Sequence, residues 1–381
     1  MELILNAGLG IGILLFAVLL FKQRKQGADY FFLSWILVTL LQITFYVITI
    51  YHFQLNGVLA IVCFSFPLLG SPLLFLYILS LTRNNVKPIT ILTHLGFYFL
   101  YVGLLIIFLK VTKTNIATFN GFLVLNPTDS LVAMYYAFPM AISGLIYSAW
   151  GLLILKQHQK AILHFFSFDE KINLKWIKHI VYSCFLLFIV ASIIIFSSTS
   201  FNVFPVKLAF AFVGVALSLT LMVFGFYGFR QTSVFSNFDV KDTGNTAFFK
   251  EGKPKSNSYT KSGLTTEKGL THAHRLTQLM EQEKPYLQDS LSLPLLAKQC
   301  TLSQTQLSQI INQHFNINFY DFINEYRIKE AKKMLLSSDF EHLTVLGIAF
   351  DCGFKSKSSF NRYFKKYCGI SPSQFIKQNK K

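Results

Sequence analysis

Seven runs of apolar residues, each about 20 residues long, occupy the first 229 residues of this 381-residue chain. In a bilayer each segment must satisfy its own backbone hydrogen bonds, and a helix of about 20 residues crosses the hydrocarbon core. The sequence therefore predicts an all-α fold that begins with a polytopic membrane helix bundle. The predicted spans are residues 3–21, 31–51, 58–81, 89–109, 131–155, 177–197 and 206–229.

Charged residues divide the chain into two different halves. Residues 1–229 contain 18 of the 53 Asp, Glu, Lys and Arg residues, and residues 230–381 contain the other 35. The stretch after the last apolar run is rich in Gly, Ser, Thr, Asn and Lys, which is typical of a linker. We predict a membrane domain at 1–229, a flexible linker at 230–272 and a soluble helical domain at 273–381.

The basic residues between the predicted spans indicate the orientation in the membrane. Cytoplasmic loops retain positive charge, and one side of the predicted bundle collects eleven Lys and Arg residues against three on the other side. The amino terminus is therefore expected outside and the polar carboxyl-terminal half in the cytoplasm, in a multi-pass protein of the cell (inner) membrane. The first run lacks a basic segment before it, so we expect it to remain as a span rather than be cleaved as a signal peptide.

The predicted spans carry little chemistry of their own. Asp, Glu, Lys and Arg occur only near their ends, whereas transporters and membrane enzymes place such groups at depth. His94, near the end of the fourth span, is expected to be a packed or interfacial residue rather than a ligand. Gly8 and Gly12 form a GxxxG pattern, which is either a helix-packing face or a chance spacing.

Catalytic and metal-binding patterns are not found in the sequence. The five cysteines have no CxxC or Cys/His spacing, and we expect them to be reduced thiols. No phosphate-binding glycine loop or nucleophile motif occurs. We therefore expect no enzymatic activity, no cofactor and no metal.

Two segments of the carboxyl-terminal half repeat one helix-turn-helix design. Ser303 can cap a helix whose capping-box partner is Gln306, and Ser356 can cap a second helix. In both copies the cap precedes the first apolar anchor, Leu307 or Phe360, by four residues. The repeat predicts a soluble tandem helix-turn-helix domain.

The polar faces of the two capped helices suit base edges in the major groove of double-stranded DNA. A single polar helix is more often a solvated surface, but two matched copies favour DNA binding. The expected reading residues are Thr305, Ser308, Gln309 and Asn312 in the first helix and Lys357, Ser358, Asn361 and Arg362 in the second. A helical stripe between the copies predicts a connecting helix that could hold the reading helices about 34 Å apart, one turn of B-DNA.

The last 27 residues are strongly basic. From Lys355 to Lys381 there are eight Lys and Arg residues and no Asp or Glu. Phosphate neutralisation dominates DNA affinity, so Lys365 and Lys366 are expected to contact the DNA backbone. A surface for anionic lipid is the alternative interpretation of the same charges.

These stretches resemble the AraC/XylS-type bacterial transcription regulators over roughly residues 280–378. The resemblance is carried by "LSQTQLSQIINQHFNINFYDFI", "RIKEAKKMLL" and "IAFDCGFKSKSSFNRYFKKYCGISPSQF". It implies a tandem helix-turn-helix domain that binds promoter DNA and usually contacts RNA polymerase. Two departures are Thr301, where a turn glycine is frequent, and Ile376, where an Arg commonly follows the closing aromatic residue.

Two hypotheses of different classes follow. The first is a membrane-tethered regulator that binds DNA sequence-specifically and is controlled by an unknown signal ligand or membrane partner, with a homodimer as one option for its oligomeric state. The second is a membrane receptor or carrier whose basic carboxyl-terminal domain is a protein- or lipid-binding adaptor. A membrane enzyme is disfavoured because the spans lack buried acids and bases.

Overall fold

The computed structural model describes the chain except for residues 24, 83–85, 114, 120–121, 126–129, 169–173, 202, 231–265 and 380–381. Contacts group the chain into two compact units, one made of Met1–Lys156 and Leu174–Asp239 and the other of Gln157–Asn173 and Val240–Lys381. The predicted all-α class is confirmed. The proposed domain limits at 229 and 272 stay a prediction, and the grouping of residues 157–168 with the second unit has no sign in the local sequence.

The first unit is built from long apolar helices. Their bounds are α1 Glu2–Leu20, α2 Gly27–Val47, α3 Gly57–Phe64, α4 Pro67–Thr82, α5 Pro88–Thr112, α6 Ser130–Phe165, α7 Lys175–Phe201 and α8 Val206–Arg230. Within the described residues, seven helical stretches are long and apolar enough to cross a membrane, judged by length and composition. The third predicted span consists of α3 and α4, which are separated by a turn directly before Pro67, a residue that disfavours helix before it.

A short β-hairpin lies between α5 and α6, in a segment for which the sequence predicted no regular structure. Strand β1, Ile116–Phe119, pairs antiparallel with β2, Phe122–Leu125. Thr118 joins this hairpin to the chain before α3, because its backbone N–H donates to the Leu55 carbonyl over 2.7 Å. The hairpin is a small addition to an otherwise helical unit in the described part of the chain.

The GxxxG pattern of α1 is a packing face. A Cβ atom on Gly8 would overlap the side chain of Ser218 on α8, and one on Gly12 would lie 2.5 Å from Leu40 and 3.0 Å from Leu221. The two glycines therefore let α1 approach its neighbours more closely than any other residue would allow. His94 is also packed: its Nδ1 lies 3.0 Å from the Tyr147 hydroxyl, in agreement with the expected role.

The second unit is a bundle of shorter helices. Their bounds are α9 Thr266–Gln282, α10 Leu293–Gln299, α11 Gln304–His314, α12 Phe319–Leu336, α13 Val345–Asp351, α14 Lys357–Cys368 and α15 Pro372–Asn379. Of the predicted linker, residues 231–265 lie outside the described residues, and residues 266–272 form the start of α9. The glycine and threonines of this stretch favoured a loop, but Gly269 is buried within the helix.

Two hydrophobic cores share the helix α12. Phe319, Phe322 and Ile323 belong to the core around α10 and α11, whereas Ile328 and Ala331 belong to the core around α13 and α14. The predicted connecting helix therefore contributes side chains to both helix-turn-helix copies. We call them the first and second motifs.

Candidate nucleic-acid interface

The turns of the two motifs are closed by equivalent hydrogen bonds. In the first motif the backbone N–H of Leu302 donates to the carbonyl of Ala297 over 2.9 Å, and in the second Phe354 donates to Ala349 over 3.0 Å. Both alanines are buried, so nothing larger than a methyl group separates the helices at the crossing. The predicted internal repeat is thus present in the backbone itself.

The two turns differ in the residue that adopts the left-handed conformation. Gly353 has φ +84°, and a Cβ there would lie 2.7 Å from the carbonyl oxygens of both Tyr286 and Leu287. The equivalent position in the first motif is Thr301, with φ +56°. A β-branched residue is strained in this region. Thr301 in place of a turn glycine therefore keeps the backbone path of the first motif but makes it sterically strained.

The predicted helix caps are confirmed. Ser303 Oγ accepts a hydrogen bond from the Gln306 backbone N–H (3.2 Å), and Gln306 Oε1 accepts one from the Ser303 N–H (3.0 Å). In the second motif Ser356 Oγ accepts from the Ser359 N–H over 3.2 Å. These bonds satisfy N–H groups that a helix start leaves unpaired, and they fix the first turns of α11 and α14.

Helix α11 exposes only part of its predicted reading face. Thr305 is exposed, and Ser308 and Asn312 are half-buried and bonded to each other, Nδ2 to Oγ, over 3.3 Å. Gln309 is 7% exposed and donates through Nε2 to Gln313 Oε1 over 3.1 Å. Its place beside the buried anchors of the helix differs from the exposed position expected, and its part in reading DNA stays a prediction.

Helix α14 exposes all six of its predicted contact residues. They are Lys357, Ser358, Asn361, Arg362, Lys365 and Lys366. Four of the six are cationic, and α14 contains no acidic residue. The helix therefore presents one continuous polar and positive surface.

Arg362 is held in place on this surface. Its Nη2 donates to the hydroxyl of Tyr320 over 2.8 Å, and its guanidinium lies 5.7 Å from the ring centre of Tyr363. A restrained guanidinium loses less conformational entropy when it binds a partner.

Asp321 on α12 anchors α14, a role that no sequence pattern indicated. Its Oδ1 accepts hydrogen bonds from the Tyr363 hydroxyl (2.8 Å) and from Lys366 Nζ (2.6 Å), and its backbone carbonyl accepts from the Tyr367 hydroxyl (3.1 Å). Burial, followed by the nearby Tyr320 and Asp321, raises the pKa of Tyr363 far above its usual value. That phenol therefore remains a hydrogen-bond donor throughout the physiological range.

Two thiols of this unit are buried and protonated. Burial raises the pKa of Cys300 to about 11, with Arg275 acting in the opposite direction, and burial raises the pKa of Cys352 to about 12. No group of three His, Cys, Asp or Glu residues suited to a metal occurs within the described residues.

Comparisons with known proteins agree with this geometry. Residues 296–378 match the family described as a helix-turn-helix domain, of AraC type. The transcriptional regulatory protein HptR of Staphylococcus aureus (strain NCTC 8325 / PS 47) is 30% identical over 105 residues, which cover 28% of this chain and 40% of that protein. The uncharacterized HTH-type transcriptional regulator SACOL0084 of Staphylococcus aureus (strain COL) is 27% identical over 110 residues, 29% of this chain and 14% of that protein.

The family match lies within the second unit. This chain spans less than half the length of either relative, and no solved structure matches it. The carboxyl-terminal part is a helix-turn-helix domain similar to those of transcription regulators.

Proposed function

We propose that the chain is a membrane-tethered transcription regulator that binds promoter DNA sequence-specifically through α11 and α14. The observation that carries the proposal is the surface of α14, which exposes six polar and cationic residues. The helix that presents them is capped by Ser356 and anchored by Asp321. An exposed, rigidly held helix of this kind fits the major groove.

Four of the exposed residues on α14 have a definite chemical use in the groove. Arg362 can donate two hydrogen bonds to guanine, and Asn361 can pair with the edge of adenine. Lys365 and Lys366 lie further along the helix and would neutralise phosphates, a contact that positions the protein without reading sequence.

Helix α11 would read the neighbouring major groove. Thr305, Ser308 and Asn312 offer hydroxyl and amide groups on its outer side, and Gln309 would join them only if its bond to Gln313 opened. Because α12 contributes to both cores, a single domain would read two half-sites about one helical turn apart.

The apolar helices support tethering to a membrane. We place the amino terminus outside and the helix-turn-helix unit in the cytoplasm, since eleven of the fourteen Lys and Arg residues that flank the spans would lie on that side. A ligand or membrane partner that favours one arrangement of the spans would control the regulator. The resemblance to AraC-type regulators favours RNA polymerase as a further partner, and a homodimer is compatible with the proposal.

The proposal is tested by selection from random DNA. The full chain, in lipid nanodiscs, is incubated with a pool of random duplexes at several salt concentrations, and the retained fraction is sequenced. We expect a motif with two half-sites about ten base pairs apart. Arg362→Ala and Asn361→Ala should remove sequence preference in one half-site, at a cost of about 1–3 kcal/mol for a lost base contact.

The matched control is Arg275→Ala. Arg275 is exposed on α9, outside both reading helices, so this variant should keep the motif unchanged. Steeply salt-sensitive retention without sequence enrichment would refute sequence-specific reading. The adaptor or lipid-binding interpretation of the basic segment would then be favoured.

A further inference from the structure

The chain segment at the end of α6, before α7, belongs structurally to the helix-turn-helix unit. The boundary between the two units falls inside α6, after Lys156, and residues 157–168 group with the second unit. We call residues 163–168, the end of α6 and the three residues that follow it, the strap.

The strap pairs with the start of the first motif through its backbone. Phe166 forms an antiparallel bridge with Ser292, the residue that precedes α10. Ser167 donates to the Leu291 carbonyl twice, through its N–H over 3.2 Å and through its Oγ over 2.6 Å. Ser167 is 1% exposed, so this part of the strap is buried, whereas residues 163–166 are half-buried.

The strap also completes the hydrogen bonding of a buried arginine on the connecting helix. Arg327 is 1% exposed, and its Nε donates to the Tyr286 carbonyl over 2.7 Å. Its Nη1 donates to the Ser167 carbonyl (3.0 Å) and to Asn324 Oδ1 (3.4 Å). Its Nη2 donates to the Gln288 carbonyl (2.8 Å) and to Ser167 Oγ (3.1 Å). Two of these five bonds end on the strap. A guanidinium has five N–H donors, so withdrawal of the strap would leave part of a buried cation without its acceptors, which is strongly unfavourable.

Side chains of the strap reach both motifs. Phe165 packs against the core of the first motif and Leu163 against the core of the second. The Phe168 ring, 5% exposed, lies 3.8 Å from Lys355 Nζ, in the turn directly before α14. The strap therefore contacts the first motif, the connecting helix and the second motif at once.

We propose that the strap is an internal partner of the DNA-binding unit, and that its docking fixes the two motifs in the arrangement required to bind DNA. This inference rests on the proposed function for its DNA readout. Because both ends of the strap lead to long apolar helices, a rearrangement of α6 and α7 that pulls the strap away would weaken DNA binding. The strap would thus be the route by which a signal in the membrane reaches the reading helices.

Docking is tested by a disulfide that needs no DNA. The pair Phe166→Cys and Ser292→Cys replaces two residues of one antiparallel bridge, whose Cα separation of about 4.5–5.5 Å suits a disulfide. Oxidation of the full chain in nanodiscs should join these two cysteines, identified by mass spectrometry of the linked peptides. The control pair Phe166→Cys and Leu346→Cys, with Leu346 exposed on α13, should remain unlinked. Equal linking of both pairs, or of neither, would overturn the docking.

The functional consequence is measured as DNA affinity of the full chain. Phe168→Ala should weaken binding to the selected duplex about tenfold, because the strap loses the aromatic ring that contacts the Lys355 ammonium group. The oxidised chain that carries both Phe166→Cys and Ser292→Cys should bind as tightly as the wild type. Phe350→Ala, the same change at an exposed ring of α13, should have little effect. If Phe168→Ala bound DNA as tightly as the wild type, or more tightly, the supporting role of the strap would be wrong even though docking and DNA binding both stood.

A second inference rests on a separate observation in the first unit. A cavity of about 90 Å³ lies among its long helices and is lined mainly by apolar side chains, including Trp35, Phe75 and Cys184. None of its lining residues is Asp, Glu, Lys, Arg or His. A charged group would find no counter-charge there, so the cavity favours an uncharged molecule.

Gln42 of α2 lines this cavity with an amide whose hydrogen-bonding capacity is mostly unused. The residue is 4% exposed, and neither its Nε2 nor its Oε1 has a partner at full hydrogen-bonding distance and angle in the described part of the chain. The Tyr46 hydroxyl, one turn along α2, interacts with the amide, and one hydroxyl leaves most of the two donor and two acceptor positions of the amide unfilled. The nearby Thr39 and Ser71 hydroxyls already donate to carbonyls of their own helices.

A buried amide with most of its hydrogen-bonding positions unfilled is costly, and in a ligand pocket a few such polar groups orient an otherwise apolar molecule. We infer that this cavity binds a small uncharged amphiphile, a molecule with a short hydrocarbon part and one hydroxyl or amide that bonds to Gln42. This would supply the ligand class for the proposed membrane signal, and its test does not involve DNA.

The test uses a three-carbon alkanol that carries a photoreactive diazirine, a molecule small enough for a cavity of this volume. The full chain in nanodiscs is irradiated with this probe, and the labelled residues are mapped by mass spectrometry. Labelling should fall on cavity-lining residues, 1-propanol should compete while propane should not, and Gln42→Leu should reduce labelling about fivefold, the equivalent of one hydrogen bond. Gln54→Leu, at an exposed position outside the cavity, is the matched control. Equal competition by propane, or unchanged labelling of the Gln42→Leu chain, would overturn the assignment.

Discussion

At the scale of single residues, Thr301 occupies a backbone conformation that suits glycine. Its φ is +56°, whereas the equivalent position of the second motif is Gly353. We predict that Thr301→Gly stabilises the first motif by about 1 kcal/mol, because the steric strain of a β-branched residue is removed. Hydrogen exchange of the Leu302 amide, which closes the turn, should slow about fivefold in the full chain.

The reverse substitution supplies the comparison. Gly353→Ala should accelerate exchange at the Phe354 amide, because the added Cβ meets two backbone carbonyls as well as an unfavourable φ. Unchanged or faster exchange in Thr301→Gly would mean that the Thr301 Oγ1 contact to the Cys300 carbonyl, 2.6 Å, outweighs the strain.

At the scale of elements, Asp321 determines how firmly α14 stands on α12. Asp321→Asn keeps the size of the side chain but removes the charge that accepts from Tyr363 and Lys366. We expect about 1–2 kcal/mol of local destabilisation, typical of a charge-assisted hydrogen bond. Amide exchange along α14 should accelerate roughly tenfold, and affinity for the selected duplex should fall.

Glu325→Gln is the appropriate control for that substitution. Glu325 lies one turn further along the same helix and pairs with Lys329 at 3.0 Å, where the Lys329 side chain is 61% exposed and the Glu325 side chain 36% exposed. An ion pair four residues apart on a helix, with its cation open to solvent, contributes little, so α14 should exchange as in the wild type. Equal acceleration in both variants would indicate general loosening of α12 rather than a specific anchor.

Local sequence patterns were sufficient for the elements of the second unit but not for their attachments. Capping residues, the small residue at each crossing and the apolar stripes all act within a few residues, and these predicted the two motifs. Asp321 and Tyr363 are 42 residues apart, and Ser167 and Arg327 are 160 apart. Helical periodicity carries no information about pairs so far apart in the sequence. The burial of Gln309 could not be predicted either, because a polar residue type alone does not show whether the side chain faces solvent.

At the scale of the whole molecule, apolar run length predicted the seven long helices because a bilayer restricts both the length and the composition of a span. Gln42 carries no charge, so it gives none of the signal by which ionisable residues within a span indicate function, although a buried neutral amide with few hydrogen-bond partners is also expensive in an apolar surrounding. The strap was assigned to the membrane domain by position along the chain, although its contacts belong to the helix-turn-helix unit.

The central claim is that one chain holds specific DNA at a membrane, and flotation tests it most directly. Vesicles that contain the full chain are mixed with a labelled duplex carrying the selected motif and are centrifuged through a density gradient. The account predicts that this duplex floats with the vesicles, that a scrambled duplex does not, and that Arg362→Ala abolishes the difference. Equal flotation of both duplexes, or of the labelled duplex with protein-free vesicles, would contradict it.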